Sequence, residues 1–399
     1  MSPNPLTNAR IVCVQHLLET TGSLFESFVR LGCAPERIHV LGKPYSTSAL
    51  VEQRLASAGY DLVEWQGGIR PGRFSSDIRR NIVELWSRVE SQVDSTESAL
   101  LVLDDGGRCR QFIPTSFCSK RIIAIEQTTS GLKRRHRTHG LPTVEVAGSA
   151  AKRFLEPPAV TASIMRFIMP QLDGSNPNHR IGVIGLGTVG EDLARRLVAG
   201  GHSVNAYDKD RRLLGGLAGA YRCGSLRELF EASTYVLGCT GEDLLNGATW
   251  LSGLQGDRIL ASCSSEDVEF RSLLRRSAGS AHLHPFKSVE IRLPHGSIKV
   301  LRGGFPANFT GAKNSGPIAL IQVTRALLLA GVFQAARLVS GPFAGLPRRI
   351  MLDPELQAIV GRAFITRRRK RLLDPQSTSV LDVDWVERHS TGIRLAADW

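Results

Sequence analysis

Three glycines with a fixed spacing are the residues that point most directly to chemistry. Gly185, Gly187 and Gly190 form G-x-G-x-x-G between the apolar run RIGVI and the amphipathic run EDLARRLVA. In this pattern the first glycine permits a tight turn, the second admits a pyrophosphate, and the third lets helix and strand pack closely. The free N–H groups of the helix N-terminus favour the anion. We therefore expect these glycines, with Thr188 and Val189, to hold a dinucleotide.

An acidic residue indicates which dinucleotide binds. Asp208 ends the next predicted strand, SVNAYD, at the distance where a carboxylate accepts hydrogen bonds from the ribose hydroxyls and repels a 2′-phosphate. The sequence thus predicts NAD as the cofactor. Arg211 and Arg212 lie close by and keep NADP open as an alternative. A turn that is rich in glycine for packing alone is the other alternative.

The elements around this motif predict an α/β fold with two doubly wound domains. From Ala9 onward, short β-branched runs alternate with amphipathic segments, which is typical of a parallel sheet covered on both faces. A second unit begins at Arg180, with further strands in TYVLGCTG, RILASCS and IKVLRGG. We expect a central Rossmann domain inserted in a split outer domain. The predicted parts are an outer substrate domain (1–172), a Rossmann NAD-binding domain (178–312), and a return helix with the C-terminal part of the outer domain (313–399).

Three connecting segments are predicted from composition. A helix from about Ala159 to Pro170 leaves the first domain, and the polar stretch Asp173–His179 is interpreted as a linker. The apolar segment Pro317–Leu338 is expected to form a long helix that carries the chain back. No run approaches the ~20 apolar residues of a membrane span, and the N-terminus does not resemble a signal peptide. We therefore expect a cytoplasmic protein without a membrane segment.

The charge of the chain and its histidine pattern bear on nucleic-acid and metal binding. The net charge is +13, and two basic runs are present, Lys133–Arg137 (KRRHR) and Arg367–Arg371 (RRRKR). Neither run is interleaved with the aromatic residues that stack on nucleic-acid bases. We therefore interpret them as solvated faces or as docking places for an anionic small molecule, and nucleic-acid binding is a minor alternative. His282 and His284 form an H-x-H pair without a third ligand nearby. No metal site is predicted.

Local motifs resemble one enzyme family. The order of parts fits both D-2-hydroxyacid dehydrogenases and S-adenosylhomocysteine hydrolases. The runs LDDGG (Leu103–Gly107), EQTTSG (Glu126–Gly131) and LPTVEVAGSAAKRFLE (from Leu141) are similar, in order and spacing, to three motifs of the hydrolases. The resemblance implies an NAD-dependent enzyme, in a dimer or tetramer, that oxidises a ribose 3′-hydroxyl of a nucleoside-like substrate.

The resemblance also assigns roles to single residues. It implies catalytic roles for Asp105 and Lys152, with Glu156 on the same helix face as the lysine, and for His16 in the first strand motif. His16, Asp105, Gln127 and Lys152 would contact the substrate, and Thr128 and Thr129 would line the nucleoside and the nicotinamide ribose.

Several of the hydrolase family's residues are replaced. Gln127 stands where the family has a glutamate, and Ser265 in SCSSED where it has a histidine. The later histidine motif is reduced to Asn314–Pro317 (NSGP), Pro157 replaces an asparagine, and the tail VERHSTGIRLAADW lacks the family's lysine and tyrosine. We therefore expect oxidation of a nucleoside or sugar hydroxyl on another substrate, ending in elimination, hydrolysis or dehydrogenation.

Three other functions are left open by the sequence. One is genuine S-adenosylhomocysteine hydrolysis, and another is a catalytically silent NAD- or nucleoside-binding sensor or partner protein. The third is a hydroxyacid dehydrogenase, which needs an Arg, Glu and His trio that no pattern in this sequence marks.

Overall fold

The computed structural model describes residues 4–93, 99–118, 120–134, 140–172, 180–277 and 284–372. In this part of the chain, two α/β domains are each built on a seven-stranded sheet. The predicted linker and His282 lie outside the described residues, as do the last three residues of the first basic run. Those predictions stay untested.

Short, mostly buried strands form both sheets. In chain order they are β1 (Ala9–Gln15), β2 (Ile38–Gly42), β3 (Asp61–Val63), β4 (Ala99–Asp104), β5 (Arg121–Glu126), β6 (Thr143–Glu145), β7 (Arg180–Ile184), β8 (Ser203–Tyr207), β9 (Tyr221–Arg222), β10 (Tyr235–Gly238), β11 (Arg258–Ser262), β12 (Val289–Leu293), β13 (Gly296–Val300) and β14 (Arg349–Met351).

Helices cover the sheets and connect them. They are α1 (Glu19–Arg30), α2 (Ala49–Ser57), α3 (Phe74–Gln92), α4 (Thr129–Arg134), α5 (Ala150–Leu155), α6 (Pro157–Ile168), α7 (Thr188–Ala199), α8 (Leu226–Ala232), α9 (Arg271–Ser277), α10 (Ile318–Ser340) and α11 (Pro354–Leu372).

The first sheet is parallel throughout, in the order β14-β6-β5-β4-β1-β2-β3. All seven residues of β1 are buried, as expected for a strand that is covered by helices on both faces. Apolar residues of α1 and α10 pack on one face of this sheet, and those of α3 pack on the other. Two core clusters therefore share one sheet.

The second sheet has the order β12-β13-β11-β10-β7-β8-β9, and its strands are parallel except for the β12–β13 hairpin. The sequence did not predict β12. Its five residues alternate between buried and exposed at the sheet edge, a pattern too short to separate from a loop.

The chain crosses between the domains twice. Helix α6 leaves the first domain, and its Ile164 and Ile168 belong to the core of the second. The return crossing passes Pro306, which forms a bridge with Ser262, and leads to α10. Strand β14 then pairs with β6, so the end of the described chain completes the first sheet. The predicted fold class is confirmed, whereas the exact domain limits stay predictions.

Helix α10 is long and apolar enough to cross a membrane by composition alone. In the structure its buried residues belong to the core of the first domain, together with residues of α1 and β1. We therefore describe α10 as a core helix of the first domain. For the segment Pro317–Leu338 the sequence predicted a long helix that carries the chain back to that domain, and α10 does so.

Candidate cofactor and substrate site

The glycine motif forms the turn between β7 and α7. Gly185 has a φ of +87°, a left-handed conformation that favours glycine. A Cβ atom on Gly190 would overlap the carbonyl oxygen of Gly185, whereas a Cβ on Gly187 would meet no atom within 4 Å. The first and third glycines are thus required by the fold, and the second leaves open space before the helix N-terminus. The open cradle fits the pyrophosphate of a dinucleotide.

The predicted ribose acid follows β8 and organises the same turn. Asp208 Oδ2 accepts a hydrogen bond from the Leu186 amide at 2.6 Å, and Oδ1 accepts from the Asp210 amide at 2.8 Å. Arg212 forms an ion pair with Asp210, and Arg211 donates to a backbone carbonyl. Both arginines have partners within the chain, which favours NAD over NADP.

A buried carboxylate that the sequence analysis missed supports the neighbouring loop. Glu269 is fully buried and accepts from the Thr240 hydroxyl at 2.8 Å and from the Gly241 amide at 2.5 Å. Thr240 and Gly241 follow β10 directly beside the glycine turn, and Thr240 Cγ2 lies within 2.7 Å of a Cβ built on Gly185. Glu269 therefore fixes the loop of Thr240 and Gly241 that lies beside the glycine turn.

At the carboxyl edge of the first sheet, His16 and Asp105, two of the predicted site residues, are in contact. Asp105 Oδ2 lies 3.1 Å from His16 Nε2, and Asp105 Oδ1 accepts from Lys43 Nζ at 2.6 Å. The other ring nitrogen of His16, Nδ1, lies 2.5 Å from Ser46 Oγ. The His16 ring also stacks on Phe309, with 4.4 Å between the ring centroids. Both nitrogens of His16 are therefore engaged.

Burial and ion pairing set the charges of this cluster. Burial lowers the pKa of His16, although the Asp105 carboxylate opposes that effect. Burial alone would raise the pKa of Asp105, but Lys43 and His16 outweigh it and hold that pKa below its usual value. At neutral pH Asp105 is therefore ionised and His16 is neutral.

Lys152 and Glu156 form an ion pair on one helical face, as the sequence predicted. Lys152 is 9% exposed. The second carboxylate oxygen of Glu156 accepts from the Thr324 hydroxyl of α10 at 2.8 Å. Helix α10 thus fixes the carboxylate that in turn orients the lysine.

The remaining predicted residues surround the end of β5. Gln127 is 7% exposed, and its Oε1 has no hydrogen-bond partner among the described residues. The amide and the hydroxyl of Thr128 both donate to Glu126 Oε1 at 2.8 Å. Thr129 is the first residue of α4. The proposed roles of Thr128 and Thr129 toward the cofactor stay predictions.

Glu126 shares a buried site with Asp104 and Arg110. Arg110 Nη2 lies 3.4 Å from Glu126 Oε2, and all three side chains are buried. Burial, together with the charge of Asp104, raises the pKa of Glu126 to about 8. Glu126 is thus mostly protonated at neutral pH.

This raised pKa predicts a loss of stability at alkaline pH. Because the folded protein binds the Glu126 proton more tightly than the unfolded chain, the free energy of unfolding should fall by roughly 1–2 kcal/mol between about pH 7 and pH 9. The stabilisation is complete below the unfolded pKa and is lost as the pH rises through about 8. Urea unfolding across this range measures the effect.

The matched variant is Glu126→Gln, which cannot titrate. Its free energy of unfolding should depend less on pH than that of the wild type over the same range. Parallel curves for the two proteins would contradict the assignment of the alkaline loss to Glu126.

The carboxyl edges of the two sheets face each other. Glu266 follows β11 and is fully buried, and its carboxylate binds Arg108 at 2.6 Å and Arg134 at 3.2 Å, both from the first domain. Burial opposes ionisation, but the two arginines lower the pKa of Glu266 to about 2. Its φ of 59° is unusual for a residue other than glycine. An ion-pair bridge therefore joins the domains beside Ser265, the residue predicted to replace a histidine.

Sequence reasoning missed Lys43, Arg325 and Glu266 in this region. Lys43 directly follows β2, and Glu266 follows β11, so their positions after strand ends were available as a signal. Arg325 is the single charged residue in the mostly apolar segment IALIQVTRALLLAGVF. Charged side chains are almost never fully buried unless they are paired.

Comparison with known proteins identifies the second domain. Residues 180–281 match the family model described as the NAD binding domain of 6-phosphogluconate dehydrogenase. The match begins at β7 and includes the glycine turn, Asp208 and Glu269.

Two curated relatives are proteins of Mycobacterium tuberculosis. Uncharacterized protein MT0113 (strain CDC 1551 / Oshkosh) and uncharacterized protein Rv0104 (strain ATCC 25618 / H37Rv) are each 28% identical over 337 residues. The alignments cover 82% of this chain but only 64% of each relative. The chain thus spans less than two thirds of the length of these relatives.

Solved structures with partial likeness are dehydrogenases and a reductase. A formate dehydrogenase of Granulicella m. has a TM-score of 0.34 at 12% identity and covers 63% of this chain and 73% of its own. The NADPH-dependent glyoxylate/hydroxypyruvate reductase of Sinorhizobium meliloti has a TM-score of 0.36 at 16% identity, with 64% and 85% covered. At these scores the likeness carries no argument about function.

The resemblance to S-adenosylhomocysteine hydrolases is wrong. The family model that matches residues 180–281 describes the NAD binding domain of 6-phosphogluconate dehydrogenase, which is a different family. The shared motifs have a packing explanation. Gly106 and Gly107 have φ values of 102° and 65°, and a Cβ on Gly131 would overlap the Glu126 carboxylate. Such residues recur because the turns require them, without implying the same reaction. Residues 180–281 form an NAD-binding domain of the dehydrogenase type, and NAD is its cofactor.

Proposed function

We propose that this protein is an NAD-dependent oxidoreductase that interconverts a hydroxyl and a carbonyl group of a small polar substrate. One observation carries the proposal. The buried polar cluster of His16, Asp105 and Lys43 lies at the carboxyl edge of the first sheet, which faces the edge that bears the glycine turn. Ligands of doubly wound sheets bind at this edge.

Bound NAD would accept the electrons that the proposed oxidation releases. NAD, when bound, takes up the hydrogen and two electrons of the carbon–hydrogen bond next to the hydroxyl. The hydroxyl proton goes to a base of the protein, so the products are a carbonyl compound, NADH and one proton. The reverse direction needs a proton donor at the same place.

Lys152 is the better candidate for this proton transfer. Its ammonium group has one acidic partner, Glu156, which leaves two of its hydrogens for other acceptors. His16 is less suited because Ser46 and Asp105 already engage its two ring nitrogens. In reduction, the Lys152 ammonium group donates a proton to the substrate oxygen, and in oxidation the neutral Lys152 amine takes up the hydroxyl proton. Glu156 orients the lysine.

His16, Lys43 and Asp105 form the floor of the site. The ionised Asp105 accepts from Lys43 through Oδ1, and its Oδ2 lies 3.1 Å from His16 Nε2, so the carboxylate is held between the two neighbours. A fixed carboxylate next to a neutral imidazole can orient a substrate hydroxyl without desolvating a new charge on binding. We assign a positioning role to His16 and Lys43.

A panel assay tests the proposal. The wild-type protein is mixed with NAD and with hydroxy acids, polyols, sugars or nucleosides, and both NADH absorbance and product masses are followed. The proposal predicts NADH and a product lighter by two hydrogens with at least one compound class. Tight NAD binding without turnover across all classes would contradict it and favour a catalytically silent NAD-binding protein.

We also propose a cytoplasmic location. All seven cysteines are free, and five of them are buried. Free thiols are typical of reducing compartments. A fractionation experiment that recovers the protein outside the cytoplasm would contradict this proposal.

A further inference from the structure

Arg325 is a buried arginine, and none of the described acidic residues forms an ion pair with it. It lies on α10 and is 5% exposed. Its Nε donates to the Thr20 hydroxyl at the long distance of 3.5 Å. Its Nη1 is buried and has no hydrogen-bond partner in the part of the chain that the structure describes. Buried charges are normally paired, so this side chain needs an explanation.

The nearest acids are already neutralised by other cations. Burial lowers the pKa of Arg325, and the charges of Asp105 and Glu156 oppose that effect. Its contact with Thr20, in the first turn of α1 just after β1, places the guanidinium at the carboxyl edge of the first sheet. However, Asp105 binds Lys43, and Glu156 binds Lys152. With His16 neutral, these three cations and two anions leave one positive charge uncompensated.

Two buried amides share this edge. Gln15 is 0% exposed, and neither Oε1 nor Nε2 has a partner among the described residues. By strand alternation it lies on the same face as Cys13, which packs in the cluster that contains α10. Gln127 follows Ile123 and Ile125 on that face and has an unpartnered Oε1. Polar atoms without partners therefore gather on the α10 side of the edge.

We propose that Arg325, together with Gln15, forms a subsite for a carboxylate group of the substrate. A single uncompensated charge matches a monoanion better than a doubly charged phosphate. The planar guanidinium suits the geometry of a carboxylate, and the Gln15 amide, on the α10 side of the same edge, supplies a neutral donor. The neighbouring residue of α10, Thr324, donates to Glu156, which pairs with Lys152, so the subsite and the proton carrier are linked through one helix.

This inference deepens the proposed function, on which it rests, and it names the substrate class as a hydroxy or keto acid. The charge of Arg325 should contribute to binding only for substrates that carry the anion. Loss of a charged hydrogen-bond partner is expected to weaken binding of such a substrate roughly tenfold or more.

Thermal shift with matched probes tests the subsite. Glycerate, glycerol and glycerol phosphate are added at equal ionic strength, each with and without NAD. Wild-type protein should be stabilised by glycerate more than by the other two compounds. Arg325→Met should lose most of that response. Arg258→Met is the matched control, because Arg258 is a buried arginine of the second domain whose donors bind backbone carbonyls. It should keep the glycerate response.

A second variant, Gln15→Glu, is expected to raise the melting temperature of the unliganded protein. Gln15→Glu introduces a carboxylate of the chain on the α10 side of the same edge. If Gln15 and Arg325 form one subsite, the unliganded variant should melt at a higher temperature and no longer respond to glycerate. This variant is informative even if Arg325→Met does not fold.

Equal stabilisation by glycerol, an unchanged response of Arg325→Met, or a stronger response to glycerol phosphate would overturn the carboxylate subsite. These outcomes are separable from failure of the proposed function. Glycerate binding without any NADH formation would support the subsite and refute the oxidoreductase, whereas turnover of neutral alcohols alone would do the reverse.

Discussion

Replacement of Lys152 with methionine is expected to lower kcat by roughly 10²–10⁴-fold, the range that a positioned proton carrier contributes. Methionine keeps the length of the side chain but cannot carry a proton. Because Lys152 is 9% exposed and lies on α5, away from the glycine turn, NAD affinity should change little. Initial rates of NADH formation over a range of substrate concentrations separate the effect on kcat from the effect on KM.

Arg153→Met is the control for this experiment. Arg153 is the next residue on the same helix and is exposed, so its loss removes a charge without touching the site. Its kcat should equal that of the wild type. A Lys152→Met protein with the wild-type kcat would remove Lys152 from the mechanism and leave His16 as the candidate.

Gly187→Asp is expected to abolish NAD binding without unfolding the protein. A Cβ at this position meets no atom within 4 Å, and the backbone φ of −66° suits any residue. The new carboxylate would occupy the space before the α7 N-terminus and repel the pyrophosphate, which should weaken binding by at least about a hundredfold. Calorimetric titration with NAD measures the loss.

The matched control is Gly253→Asp. This glycine also has no atom within 4 Å of a built Cβ, and it lies in the exposed turn after β10 rather than at the cradle. The Gly253→Asp protein should bind NAD like the wild type, and both variants should melt close to the wild-type temperature. If Gly187→Asp binds NAD normally, the cradle is not the cofactor site.

The sequence predicted the cofactor half of the site well because its signal is local. Gly185, Gly187 and Gly190 fall within one turn, and Asp208 ends the next strand, so a short stretch of chain contains the whole pattern. The alternation of strands and helices in both domains could also be recognised from short stretches of sequence. These features depend on backbone conformation and periodicity, which a sequence displays directly.

The substrate half was only partly predicted because its contacts are distant in sequence. The pair of Lys152 with Glu156 was expected from a motif, and His16 and Asp105 were expected at the site, although their mutual contact was not. By contrast, the Lys43–Asp105 ion pair joins residues on two strands, and Arg325 reaches the same edge from α10, far along the chain. Nothing in the local pattern around Lys43 or Arg325 shows which partner each side chain meets.

The motif likeness misled because packing and catalysis favour the same residues at strand ends. In EQTTSG, Thr128 caps the Glu126 carboxylate and Gly131 leaves room for it. Both residues are therefore needed by any chain that buries an acid at this turn. A motif at a sheet edge indicates reaction chemistry only when its polar atoms are not used up by the fold. In EQTTSG, Gln127 Oε1 is the atom without a partner among the described residues.

Titration of the wild-type protein with NAD and with NADP tests the central claim most directly. The glycine cradle and the Asp208 carboxylate predict one NAD per chain, with NADP bound at least roughly tenfold more weakly because its 2′-phosphate meets that carboxylate. Absence of binding for both dinucleotides, or tighter binding of NADP, would contradict the account.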